Sequence, residues 1–217
     1  AKDFEAELHT LIRETVKKHK RIIFNGNGYD DAWIREATEK RGLLNLRTTP
    51  DALPYLLEKK NTDMLTSLGV FTIPELLSRY EITLENYCKT VNIEALTMID
   101  MARKEILPAV EEYTASLADT YAKKLAVCPS LTETYEKRTV TELSSLTEEI
   151  ARAVTELENA EIAYKSVEDI TEAAKKIRDD LLPKMATLRA VCDEAETKTA
   201  GKYWPFPTYA DLLFGVR

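Results

Sequence analysis

The chain has 217 residues, 44% of them hydrophobic and 31% charged, with a formal net charge of −7. That length and balance describe one globular domain or two small ones rather than a disordered chain. Six Gly and eight Pro are few for an all-β protein with many turns, and the acidic balance disfavours a broad face for nucleic acid or anionic membrane.

The first predicted element covers residues 3–20. Phe4, Leu8, Leu11, Ile12 and Val16 fall at helical spacing, Asp3 supplies a cap, and the basic run "KKHKR" ends the helix where its macrodipole is negative. "RIIF" at 21–24 is the one strand-like segment. The sequence "NGNGYDD" follows it and raises the question of a phosphate loop. The spacing argues against one: a dinucleotide fingerprint would need Gly or Ala at 31, which is Asp, and no Lys-Ser/Thr pair ends the loop. Two acids at the next helix start would also repel a phosphate. Asn25, Gly26, Asn27, Gly28 and Tyr29 therefore read as a turn with φ > 0 glycines, followed by a short helix capped by Asp30 or Asp31 and closed by Gly42.

Residues 43–80 read as several short helices, with Thr49 capping one, Pro50 in its first turn, and Thr72 with Glu75 forming a capping box for another. From Thr83 the pattern changes. Leu96, Ile99, Ile106, Val110, Tyr113, Leu117, Tyr121 and Leu125 recur at helical steps until "VCPS" interrupts them. Ser130 with Glu133 predicts a second long helix through Leu143, Ile150 and Leu157. Ser166 with Asp169 predicts a third through Ile177, Leu181, Leu188 and Cys192. Long helices joined by short breaks pack antiparallel, and Pro108 and Pro183 inside two of them predict kinks or breaks. The tail "GKYWPFPTYADLLFGVR" concentrates Tyr203, Trp204, Phe206, Tyr209 and Phe214. Such apolar aromatic area must cover either the bundle or a partner surface.

The expected fold is mainly α: an antiparallel bundle of long helices at 83–200, an irregular N-terminal region of short helices and one β-like segment at 1–82, and the aromatic tail at 201–217, together forming one structural domain. Cys88, Cys128 and Cys192 are widely separated and make neither a zinc motif nor a disulfide framework, which fits reduced thiols in the cytoplasm. The N-terminus has no signal-peptide character, and no apolar run spans a bilayer. His9 and His19 have no partners at ligand or triad spacing. No catalytic, cofactor-binding or metal-binding residue is assigned. Asn25–Tyr29, Trp204, Phe206, Tyr209 and Phe214 are the structural or interface candidates.

Three stretches go beyond generic helix: "KRIIFNGNGYDDAWIREATEKRGLLNLRTTPDAL", "SRYEITLENYCKTVNIEALTMIDMARKEILPAV" and the ending "YWPFPTYADLLFGVR". They resemble the C-terminal region of type III glutamine synthetases, the long bacterial form of that ligase. The resemblance runs over essentially the whole chain from about Lys17. It implies a parent reaction in which glutamate, ammonia and ATP give glutamine, ADP and phosphate, with Mg²⁺ or Mn²⁺ assisting. It also implies that the catalytic domain precedes this region, that this chain alone is inactive, and that it stabilises the subunit or its ring-shaped oligomeric assembly. The expected partners are the catalytic domain of the same polypeptide and other subunits. A helical binding module for a regulatory protein or partner subunit is the alternative. The resemblance gives the turn at 25–29 no established chemistry. Setting the angle between catalytic domain and helical appendage is one reading, and an edge-of-site substrate contact is the other.

Overall fold

The computed structural model describes residues 3–215 and divides into two compact units, 1–47 and 48–217. Among the described residues every regular element is helical and there is no strand.

The first unit opens with α1 (Phe4–His19). Its N-cap Asp3 accepts a hydrogen bond from the Ala6 amide at 3.1 Å, and Lys17, Lys18 and His19 occupy the last turn, as the sequence predicts. "RIIF" does not form a strand. Lys20–Ile22 make a 3₁₀ turn, and the extended backbone at Ile23 has no neighbour to pair with. Extended conformation without a ladder is not a sheet. Next, α2 (Asp31–Arg35) runs into a π turn at Glu36–Lys40. Asp30 caps α2 through the Trp33 amide at 2.9 Å, and Gly42 closes the segment at φ +67°, a conformation that favours glycine.

The second unit is a helix bundle. It begins with α3 (Thr49–Ala52), whose cap is Thr48 rather than Thr49, and with Pro50 buried in its first turn. A 3₁₀ segment at Leu53–Leu57 and α4 (Lys59–Ser67) follow, and Gly69 at φ +66° turns the chain. The Thr72–Glu75 capping box is present. The helix it starts, α5 (Ile73–Met101), is far longer than the short helix expected there, because neither Pro nor Gly occurs between Glu75 and Leu107. Consequently residues 48–82 group with the bundle and not with the N-terminal unit. A π turn at Ala102–Ile106 carries the rod into α6 (Leu107–Val127).

The chain reverses through a short loop into α7 (Tyr135–Lys165), then through another into α8 (Ile170–Lys176), a π turn at Ile177–Leu181 and α9 (Leu182–Lys198). The caps fall a few residues beyond the expected ones. Thr134 caps α7, while Ser166 closes that helix and Asp169 caps α8. Pro108 and Pro183 do not break their rods. Each stands just after a π turn. The wider turn accommodates the ring and the lost amide donor while the helix continues. The last element is α10 (Tyr209–Phe214), started by a complete Thr208–Asp211 capping box.

The core lies along α7, which packs on α6 along one flank and on α9 along the other. Leu143, Ile150 and Leu157 from α7 meet Leu84, Val110, Ile177, Leu181 and Leu188, and all eight are essentially fully buried. Their spacing of four and seven residues within each helix is the seam that the sequence displays.

Candidate functional site

In the N-terminal unit the turn at 25–29 is held locally. Asn27 Oδ1 accepts from the Tyr29 amide at 3.0 Å, an Asx-type turn. Gly26 and Gly28 do not take the left-handed conformation expected of them, because the positive-φ glycines among the described residues are Gly42 and Gly69. Gly26 serves a different purpose: a methyl group there would meet the Phe24 ring at 2.4 Å. That ring stacks on Trp33 at 3.9 Å, and the Arg41 guanidinium lies 5.1 Å from the indole while pairing with Glu36. Within this unit the turn is thus pinned to the helix that follows it. Tyr29 is 98% exposed, and its side chain takes no part in that stack.

In the bundle unit the tail divides. Tyr203 packs on Tyr113 with ring centres 5.3 Å apart. Trp204 and Phe206 meet edge to face at 6.2 Å and lie against the core, so this part covers its own bundle. Phe214, by contrast, is exposed beside Leu212 and Leu213. Tyr209 begins α10, and its side chain lies outside the described residues. Trp204 and Phe206 also wall a cleft of about 500 Å³ with Met98, Met101, Met185 and Leu188, rimmed by the Arg189–Asp193 ion pair. Periodicity does not distinguish these methionines from ordinary core. Their being three of the chain's four is the only hint.

Two polar clusters also escape a reading of the sequence. Asp51 of α3 binds Arg178 in the π turn at Ile177–Leu181, which pairs with Asp179 as well. Thr48 donates to the second oxygen of Asp51. Hydrogen bonding to Asp179 is the main reason the guanidinium is held firmly charged. Tyr87 sits close enough to feel these charges, and burial pushes its phenol up. On α7, Glu136 binds Lys124, and that hydrogen bond above all holds its carboxyl down at about 2. These are braces between helices. Each carboxylate in them pairs with a cation, although Glu136 Oε2 is buried without a hydrogen-bond partner.

Nucleophile and metal chemistry find no assembly among the described residues. Burial pushes the Cys192 thiol up to about 11 and raises Cys88 too, the reverse of an activated thiolate. Among the described residues no group of three His, Cys, Asp or Glu side chains is placed to hold a metal ion. No described helix is long and apolar enough to cross a membrane. The described residues therefore define a class: a mainly α protein whose bundle unit is braced by ion pairs between helices, with exposed apolar side chains on α1 and α10 among others.

Comparison with known proteins supplies the family. Residues 7–125 match the sequence model of the glutamine synthetase C-terminal domain. The chain is 35% identical over 215 residues to a glutamine synthetase of Butyrivibrio fibrisolvens, an overlap of 99% of this chain and 31% of that protein. It is 27% identical to the type-3 glutamine synthetase of Dictyostelium discoideum, over 97% of this chain and 29% of that one. A glutamine synthetase of Bacteroides fragilis is also 27% identical, over 94% and 28%. The chain belongs to the glutamine synthetase C-terminal domain family, with a type-3 enzyme among its relatives. It spans about 30% of the length of the curated relatives it matches.

Proposed function

We propose that this chain is the non-catalytic helical domain of a type III glutamine synthetase, and that it stabilises the subunit or its oligomeric assembly in the cytoplasm. Ligation of glutamate and ammonia at the expense of ATP, with Mg²⁺ or Mn²⁺, belongs in this reading to the catalytic portion of the same polypeptide. Among the described residues no group of three His, Cys, Asp or Glu side chains is placed to hold such a metal.

One observation carries the reading. All residues of α1 are exposed, and its apolar stripe of Phe4, Leu8, Leu11, Ile12 and Val16 is 39–72% accessible. A lone helix of this length is marginal in water, so the stripe calls for a cover. In relatives some three times longer, the remaining polypeptide is the natural one. The alternative reading, a binding module for a partner subunit or regulator, rests on the exposed end of α10 and the cleft beside it.

The test has two arms. The purified chain should give no γ-glutamyl transfer and no ATP hydrolysis, and measurable transfer by a homogeneous sample would overturn the reading. In the full-length polypeptide, Leu11→Asp with Ile12→Asp should lower subunit stability or assembly, although the same pair leaves the bundle unit of the isolated chain folded. An unaffected full-length protein would contradict the assignment of α1.

A further inference from the structure

We propose that Asn27 is a self-modification site, at which the Gly28 backbone nitrogen closes on the Asn27 carboxamide, expels ammonia and leaves a new carboxylate in the 25–29 turn. The reaction is independent of the family reading and needs no reactant but water.

The asparagines of the chain are not equally placed for it. Asn61, Asn86, Asn92 and Asn159 lie within helices, where the next amide is tied into the hydrogen-bond ladder and the backbone cannot swing toward the side chain. Asn45 precedes Leu46, whose side chain hinders the approach. Asn25 and Asn27 each precede a glycine, which lacks a Cβ and leaves its nitrogen open.

The surroundings then separate these two. Gly26 is packed against the Phe24 ring: an added methyl would lie 2.4 Å from it, and the ring is held by its stack on Trp33. At Gly28 the same position meets nothing within 4 Å. The Gly28 amide makes no hydrogen bond to any described residue, so no acceptor competes for its nitrogen. Asn27 Oδ1 accepts from the Tyr29 amide at 3.0 Å. That bond folds the carboxamide back over Gly28, the residue it spans, and draws electron density away from Cγ. As the nitrogen attacks, negative charge grows on Oδ1, where the Tyr29 N–H already donates. The turn thus supplies proximity and an oxyanion donor together. The Asn25 side chain makes no comparable bond. Residues 25–29 are exposed, so water can carry protons and ammonia away.

The atoms balance. Gly28 N–H gives its proton to water or hydroxide, the N–Cγ bond forms, the Cγ–Nδ2 bond breaks, and Nδ2 takes a proton from water and leaves as ammonia. The resulting cyclic imide takes up one water. Opening at Cγ gives aspartate, and opening at the main-chain carbonyl gives isoaspartate, whose main chain runs through Cβ and Cγ. Either product sets a third carboxylate close to Asp30 and Asp31.

Incubation of the purified chain in heavy-oxygen water, followed by peptide mapping with mass spectrometry, tests this. Label should enter at Asn27 at least about fivefold faster than at Asn25, with both aspartate and isoaspartate formed. In guanidinium chloride, where the Phe24 packing and the Tyr29 hydrogen bond are gone, the two rates should converge. Gly28→Ala, for which the turn has room, should slow Asn27 by about tenfold with helicity unchanged. Equal rates at Asn25 and Asn27 in the folded chain would overturn the proposal. So would aspartate without isoaspartate, which marks direct hydrolysis, or an Asn27 that stays unlabelled while the unfolded chain converts.

Discussion

Helices α1 and α7 are built to the same plan and meet different fates. Each has an acidic first turn, a basic last turn, an aspartate or threonine cap and an apolar stripe at helical spacing. The stripe of α7 disappears between α6 and α9, whereas that of α1 is exposed along its length. The difference teaches that periodicity reports a face that needs covering and says nothing about what covers it. Burial along α7 accounts for the bundle, while the stripe of α1 is exposed.

Substitutions along the two helices sharpen that contrast. The largest effect is expected from Leu157→Ala at the centre of α7. Leu157 is fully buried, and its truncation should cost about 2–5 kcal/mol in denaturant unfolding of the bundle. Thr72→Ala removes one half of the capping box of α5 and should cost about 1 kcal/mol in the same measurement. Acid unfolding should expose the brace at the start of α7. The Glu136 carboxyl is held at about 2 against an ordinary value of 4.5. Its stabilisation is therefore complete above about pH 4.5 and is lost as pH falls from there through about 2. Glu136→Gln should flatten that part of the stability–pH curve and leave the neutral region's slope unchanged. The smallest effect belongs to Leu11→Ala on α1, expected within about 0.5 kcal/mol for the isolated chain. A loss at Leu11 matching that at Leu157 would mean that the stripe of α1 is already covered.

Local features were legible in the sequence because their causes lie within a few residues. The caps at Asp3, Asp30 and Thr72 and the left-handed Gly42 need only a side chain reaching its own next turn. Ser130 and Ser166 show the limit of that logic. Ser130 matches a capping box with Glu133 and Thr134 does not, yet Thr134 is the cap; Ser166 closes α7 and Asp169 caps α8. The π turns left only Pro108 and Pro183 as their mark, and a proline alone does not distinguish a kink from a widened turn. Gly26 was read as a conformational glycine, yet it makes room for a ring two residues away. The Asp51–Arg178 brace joins residues 127 positions apart, and no local pattern encodes such a pair. The same holds for the cleft, whose walls come from α5, α9 and the tail. Of the tail candidates, Trp204 and Phe206 face the bundle and Phe214 faces solvent, a division that composition alone left open.

Amide hydrogen exchange along both helices, in this chain and again in the full-length polypeptide, tests the central claim most directly. In the isolated chain the amides of α1 should exchange like those of a free helix, while the centre of α7 exchanges only with unfolding of the bundle. In the full-length protein α1 should become protected. Protection of α1 equal to that of α7 in the isolated chain would contradict the account, and so would an α1 that stays unprotected when the rest of the polypeptide is present.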